Sequence, residues 1–294
     1  MAVIPSDLTI AVAAPRERNA FRTYIRRHPT IVVGGAILGL MVLLAVVAPW
    51  LGTVDPQALA PAKRLKWPSA DYWFGTDMLG RDVYSRTIYG ARVSLTVGIS
   101  VAVLSIGLGT TVGLVSGFSR WVDAIVMRIM DGLMSIPAIL IAIALMALTR
   151  ASIQNVIFAI TVGEVPRVTR LVRGVVLTLR EQPYVEAAIA SGTNIPKILW
   201  RHIVPNTMAP VLVQGTFIAA SAMITEAILS FIGAGTPPNI PSWGNIMAEG
   251  RSLFQVAYYI VLFPGIFLSV TVLGINLLGD GLRDALDPRL ARRL

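Results

Sequence analysis

The sequence contains no cysteine and only two histidines. Without thiolates it can form neither disulfides nor Cys-ligated metal sites, and two imidazoles are too few for a metal-binding cluster. It also contains no phosphate-binding loop of the Gly-x4-Gly-Lys-Ser/Thr kind and no Ser-His-Asp grouping. These absences predict a chain without catalytic residues, without a metal and without a cofactor of its own.

Charge is scarce as well, since 14% of the residues are charged and 55% are hydrophobic. Such a chain is too apolar for a soluble globule, and we predict an all-α integral membrane protein. The net charge of +9 does not indicate a nucleic-acid partner. Its basic residues flank apolar runs instead of gathering on one face, as expected beside membrane lipid.

Apolar runs predict six spanning helices, because about 20 apolar residues cross the roughly 30 Å hydrocarbon layer. The predicted spans are 31–51, 93–118, 125–149, 151–163 with a helical continuation, 206–233 and 257–279. Pro137 predicts a kink in the third span. A cleaved signal sequence explains the first run less well, because a long polar arm precedes it.

The fourth span is short, and we expect its helix to continue out of the membrane with Arg167, Arg170 and Arg173 along one face. With six spans and both termini in the cytoplasm, most of the 25 lysines and arginines lie inside, as the positive-inside rule requires. The predicted parts are a cytoplasmic arm (1–30), the first spanning helix (31–51), an extracytoplasmic segment (52–92), a core with five spans (93–280) and a cytoplasmic tail (281–294). Trp243, in the last outer connection, is interpreted as an interfacial anchor.

Two sets of residues inside the predicted spans are notable. Gly109, Gly113 and Gly117 repeat every four residues, which predicts a bare helix face for close packing, whereas Gly34 stands outside any such repeat. A charge at mid-bilayer costs about 2.5–3.5 kcal/mol, so charged side chains should face protein or water. The second set, Asp131, Glu164 and Glu226, either lines a translocation path or forms polar clamps between helices, and we favour the clamp.

A polar stretch, Glu186–Asn206, interrupts the apolar segments and predicts a helix, a break and a second short helix. Gly192 suits the position after the first helix where φ is positive, Pro196 falls in the first turn of the second, and Pro205 is expected to end it. Ile195, Ile198, Leu199 and Ile203 recur at helical spacing, with Lys197 and Arg201 on another face. An apolar stripe on a compact elbow is suited to a groove on another protein.

This stretch contains Glu-Ala-Ala, three residues, Gly and a later Ile-Val-Pro, and it resembles the EAA loop of binding-protein-dependent ABC importer permeases. The six residues Arg201–Asn206 resemble the dipeptide/oligopeptide branch, although Val204 stands where the common pattern has Leu. Phe74–Asp77, Leu79–Val83, Gly90–Leu95 and Gly279–Pro288 are similar to other segments of the same branch. The resemblance implies the type I permease fold in a bacterial cytoplasmic membrane.

In that family the loop docks on cytoplasmic ATPase subunits. Carried over to this sequence, the coupling residues are Glu186, Ala187, Ala188, Gly192, Ile195, Lys197, Ile198, Leu199, Arg201, His202 and Pro205, within residues 184–206. The implied partners are a second, dissimilar permease subunit, two ATPase subunits that use ATP and Mg, and an extracytoplasmic substrate-binding protein. The implied cargo is a di- or oligopeptide, with chelated nickel or another small polar solute as the alternative.

Two other classes of membrane protein fit less well. A secondary transporter would need inverted repeats or paired broken helices, and no corresponding halves are visible. A membrane-embedded hydrolase would need a protease-type or metal motif inside a span, and the sequence has none.

Overall fold

The structure, a computed structural model, describes residues 28–286, and this part of the chain is built of helices. An isolated bridge between Thr76 and Asp82 is its sole β-type pairing. The all-α class is therefore confirmed. Residues 1–27 of the predicted arm and 287–294 of the predicted tail lie outside the described residues.

In chain order the α-helices are α1 (Pro29–Val47), α2 (Val83–Phe118), α3 (Arg120–Met134), α4 (Ala138–Leu148), α5 (Ile153–Arg180), α6 (Pro183–Ala190), α7 (Ile195–Ile198), α8 (Val204–Phe231), α9 (Trp243–Gly250) and α10 (Tyr259–Leu286). Short 3₁₀ turns cover Ala48–Trp50, Pro61–Lys63 and Arg251–Leu253, and a π-helical turn covers Leu199–Ile203.

Within residues 28–286, four helical segments are long and apolar enough to cross a membrane: Pro29–Trp50, Val83–Phe118, Ile195–Phe231 and Tyr259–Leu286. The pair α3 and α4 passes the same test only if it is taken together. Helix α5 has 28 residues and continues without a break past Pro166 into its arginine-bearing half, as the sequence predicts.

The third predicted span is not a single kinked helix, and this prediction is wrong. Helices α3 and α4 meet at 87°, and α4 alone has only 11 residues. Pro137 precedes α4 in an extended conformation. Proline lacks an N–H and disfavours helical geometry in the residue before it, so the chain can turn sharply here instead of bending.

The helices α2, α5 and α8 supply most of the buried apolar side chains, and α1 packs along α10. Gly34 of α1 lies directly against the backbone of α10: a Cβ built on it would be 2.5 Å from the Leu278 nitrogen and 2.6 Å from the Gly274 oxygen. Gly34 is therefore a tight packing position, although it belongs to no glycine repeat.

The extracytoplasmic segment of the prediction folds against α9 and α10. The Tyr259 hydroxyl lies 3.0 Å from both the Lys66 and the Thr76 carbonyl oxygen and shares its one proton between them, and Phe74 stacks on Phe263 with ring centroids 3.9 Å apart. Trp243 is fully buried, and its indole N–H donates to the Thr87 carbonyl at 2.9 Å. The prediction of an interfacial anchor at Trp243 is therefore wrong.

Candidate functional site

The elbow defined by residues 183–203 joins α5 to α8. Its first helix is Pro183–Ala190, and Gly192 follows with φ +74°. Asn194 precedes α7, and Pro196 lies in the first turn of α7. The predicted helix, break and second helix are therefore confirmed.

Pro205 does not end the second helix. The helical run continues from Ile195 to Phe231, through the π turn, and Pro205 lies in the first turn of α8. The π turn Leu199–Ile203 directly precedes this proline and shifts the helical hydrogen-bond register, so the missing proline N–H does not end the run. The elbow is thus joined to the long helix α8 without a break in the helix.

The apolar stripe of the elbow faces mostly into the protein. Ile198 and Ile203 are fully buried, and Leu199 packs against the same core. The three most exposed large apolar side chains are Ile195, Ile189 and Trp200, the last 77% exposed. The surface available to a partner protein is therefore different from the predicted one, although Ile195 belongs to both.

The polar side chains of the elbow point outward. Glu186, Lys197 and Arg201 are exposed, and Ala187 lies beside them while Ala188 is half-buried. The ion pairs of the described residues include none of these three charges. The His202 ring lies 6.0 Å from the ring of Tyr184. Trp200 and Arg201 are of residue types enriched in protein–protein interfaces, and Glu186 and Lys197 are exposed as well.

The three repeated glycines lie against three valines of α5. A Cβ built on Gly109 would be 2.5 Å from the Val168 Cβ, and one built on Gly113 would be 2.8 Å from the Val172 Cβ. Gly117 meets Val176 in the same way, at 2.7 Å. Because the glycines and the valines share the same four-residue spacing, α2 and α5 pack side by side along all three pairs. These three glycine–valine contacts form the seam between the two helices.

The three predicted intramembrane carboxyl groups have different surroundings. Asp131 of α3 pairs with Arg170 of α5, whereas the buried Glu164 accepts a hydrogen bond of 3.1 Å from Arg167 on its own helix. Glu226 is fully buried and accepts a hydrogen bond of 2.8 Å from the Ser230 hydroxyl. The structure brings none of the three carboxyl groups into a common site.

Asp123 and an outer charge cluster are not predicted from the sequence. Asp123 of α3 accepts a hydrogen bond of 2.6 Å from Arg173 of α5. In the outer cluster, Arg86 lies fully buried between Asp77 and Glu249, 2.6 Å and 2.5 Å from their carboxylate oxygens, and Arg81 contacts both acids. Asp77 and Arg81 belong to the motif segments noted in the sequence. Glu249 lies more than 160 residues later in the chain, so nothing in the sequence indicates that it contacts Arg81 and Arg86.

Two family profiles match the chain. Residues 105–292 match the family described as binding-protein-dependent transport system inner membrane component. Residues 18–68 match the N-terminal TM domain of oligopeptide transport permease C.

Similar proteins cover nearly the whole chain. A "Probable peptide ABC transporter permease protein" of Sinorhizobium fredii is 53% identical over 97% of this chain and 99% of its own length. A dipeptide transport system permease protein of Alkalihalophilus pseudofirmus is 41% identical over 97% of this chain and 93% of its own. A glutathione transport system permease protein of Pectobacterium atrosepticum is 40% identical over 93% and 91%.

The fold has a solved counterpart in a chain of the MetNI methionine ABC transporter, determined in inward-facing conformations. The TM-score is 0.54 with 21% identity, over 69% of this chain and 96% of that chain. The first family profile covers residues 105–292, which include the elbow, and the MetNI chain has the same fold. The chain therefore belongs to the inner-membrane components of binding-protein-dependent transport systems, the permease subunits of ABC importers.

Proposed function

We propose that this permease subunit imports di- or oligopeptides. Relatives named for peptide, dipeptide and glutathione transport all match it over more than nine-tenths of its length. The Arg201–Asn206 motif of the elbow supports the same branch. The chain would form half of the translocation path and leave the choice of cargo largely to the binding protein.

The proposed assembly contains a second, dissimilar permease subunit, two cytoplasmic ATPase subunits and an extracytoplasmic substrate-binding protein. The ATPases would supply the ATP and Mg chemistry, since this chain has no nucleotide-binding loop. ATP turnover by the purified chain, after rigorous removal of its partners, would contradict this division of labour.

The proposed topology has six spans with both termini in the cytoplasm. Helices α1, α2, α5, α8 and α10 would each cross once, and α3 with α4 would cross as one broken span. The elbow would then lie in the cytoplasm, between the inward end of α5 and the beginning of α8. The five-part division given above follows from this topology.

The elbow is the proposed coupling element, and one observation carries this proposal. Its second half is continuous with α8 from Ile195 to Phe231, while Ile195, Trp200 and Glu186 remain exposed for a partner. Closure of the ATPases would push on the elbow, and α8 would transmit the movement through the membrane as a rigid body.

Purification of the importer tests this proposal. The ATPase pair should copurify with the intact chain and should be lost from a Trp200→Glu variant, because a charge replaces the largest exposed apolar side chain of the elbow. Trp50→Glu, at the outer end of α1 and 76% exposed, is the matched control. Copurification that is equal in all three proteins would mean that the elbow does not hold the ATPases.

Chelated nickel or another small polar solute is the alternative cargo. Bare metal ions would need imidazole or thiolate ligands along the path. The chain has no cysteine, and both histidines lie on the cytoplasmic side of the proposed topology. A chelate supplies its own ligands, so it competes with peptide as cargo, and direct uptake measurements decide between them.

A further inference from the structure

The inward half of α5 has a face whose exposed side chains are polar, with the half-buried Leu171 beside them. Arg167, Arg170, Gly174 and Thr178 are its exposed residues, spaced three and four apart, so they share one side of the helix. The two arginine side chains are 54% and 46% exposed. Among the described residues, Phe158 is the single large apolar side chain that α5 exposes. It lies nine residues before Arg167, which places it on the opposite side of the helix.

This polar face lies level with apolar surface on the neighbouring helix. The seam places Gly109 of α2 beside Val168 and Gly113 beside Val172, so α2 and α5 run parallel in register. At these levels α2 exposes Leu108 and Val115, and between them Thr111, whose hydroxyl donates to the Gly107 carbonyl of its own helix. The arginines of α5 are therefore level with largely apolar surface, although they follow the span 151–163 predicted from the sequence. A charge facing lipid there would be unfavourable, by at most the mid-bilayer cost of about 2.5–3.5 kcal/mol.

The arginines are paired so that the row is electrically balanced. Arg170 pairs with Asp131 and Arg173 with Asp123, both across to α3, while Arg167 pairs with Glu164. Three cations thus face three carboxylates. Paired but exposed guanidinium groups keep donors available for a passing solute, yet their attraction for it is weak enough to let it leave.

We propose that this α5 face and its α3 aspartates line the water-filled translocation path and contact the carboxylate, carbonyl and ammonium groups of passing peptides. The inference rests on the proposed function for the cargo, but not for the existence of the path. Because each of the three arginines is paired with a carboxylate, these groups together repel neither acidic nor basic peptides. The same ion pairs also hold α3 to α5, so path lining and clamping occur in one place.

Cysteine labelling tests the path without reference to the cargo, and the chain has no cysteine to remove first. In the complete importer, Arg167→Cys and Gly174→Cys should react with a membrane-impermeant thiol reagent in ATP-free or ATP-hydrolysing conditions. No Cβ contact restricts position 174. Leu108→Cys and Val115→Cys, at matching levels on α2, should stay unlabelled. Protection of both α5 cysteines in both conditions would overturn the inference, since the face would then be covered by protein or lipid.

Charge selectivity tests the contact with peptides. Asp131→Asn frees Arg170, so the ratio of acidic to basic tripeptide uptake should rise by about fivefold, the upper range for one exposed pair. Arg170→Gln should lower the same ratio. If each variant loses uptake of acidic and basic tripeptides to the same extent, the ion pairs only hold the helices together. The proposed contact with peptides would then be wrong.

These tests separate the two proposals. If the wild-type importer takes up peptides while the α5 cysteines stay protected, only the further inference fails. If the cysteines are labelled while no peptide is taken up, the peptide assignment fails and the path remains.

Discussion

Gly113 of α2 lies so close to Val172 of α5 that a Cβ added to the glycine would be 2.8 Å from the valine Cβ. Gly113→Leu should therefore force the two helices apart and sharply reduce the amount of folded, assembled permease. Gly107→Leu is the matched control on the same helix, because nothing lies within 4 Å of a Cβ at that position. Yields of monodisperse protein measure both, and equal yields would show that the seam does not require glycine.

The glycine repeat alone predicts that Gly34, which lies outside it, tolerates leucine better than Gly113, and the contacts of Gly34 with α10 argue against this. The regular spacing of Gly109, Gly113 and Gly117 is a local signal that the sequence displays directly. The partner of Gly34 is Gly274, on α10, and no local pattern connects the two. We now expect Gly34→Leu to be about as damaging as Gly113→Leu.

Gly192→Val should abolish transport while the protein still inserts and folds. The φ of +74° at this position costs a non-glycine residue about 1–2 kcal/mol, and a β-branched one more, so the elbow would change direction. Gly39→Val, within α1 with no Cβ contact, is the control. Uptake beside copurification of the ATPases is the measurement. Normal uptake by the Gly192 variant would mean that the turn does not set the coupling geometry.

The same elbow shows where sequence reasoning succeeds and where it stops. Gly192 and Pro196 have conformational preferences of their own, so their positions could be predicted. The burial of Ile198 and Ile203, and the passage of the helix through Pro205, depend on packing against α5 and α8. Helical spacing indicates that a stripe exists, but not whether its apolar side faces inward or outward.

Glu249→Gln should destabilise the outer part of the permease. Glu249 balances Arg86 and Arg81, and removing one partner of a buried pair typically costs about 3–5 kcal/mol. Since Glu249 is partly exposed, the lower end applies. The thermal midpoint of the purified protein should fall, whereas Arg251→Gln, which loses one exposed hydrogen bond to the Phe231 carbonyl, should change it little. Equal midpoints for the two variants would show that the cluster is not a stabilising element.

Glu186→Lys should abolish ATP-dependent uptake, because it reverses the charge that the elbow presents to the ATPases. Glu181→Lys, an exposed carboxylate just before the elbow, is the matched control. If uptake persists with Glu186→Lys at the level of the control, Glu186 does not take part in coupling.

Uptake by the complete importer shows whether the permease carries peptides. The reconstituted complex, with its binding protein, is given labelled di- to pentapeptides and chelated nickel in separate experiments, with and without ATP. We predict ATP-dependent accumulation of at least one peptide length, and no accumulation when the ATPase subunits are omitted. ATP-dependent uptake of the nickel chelate without uptake of any peptide would contradict it.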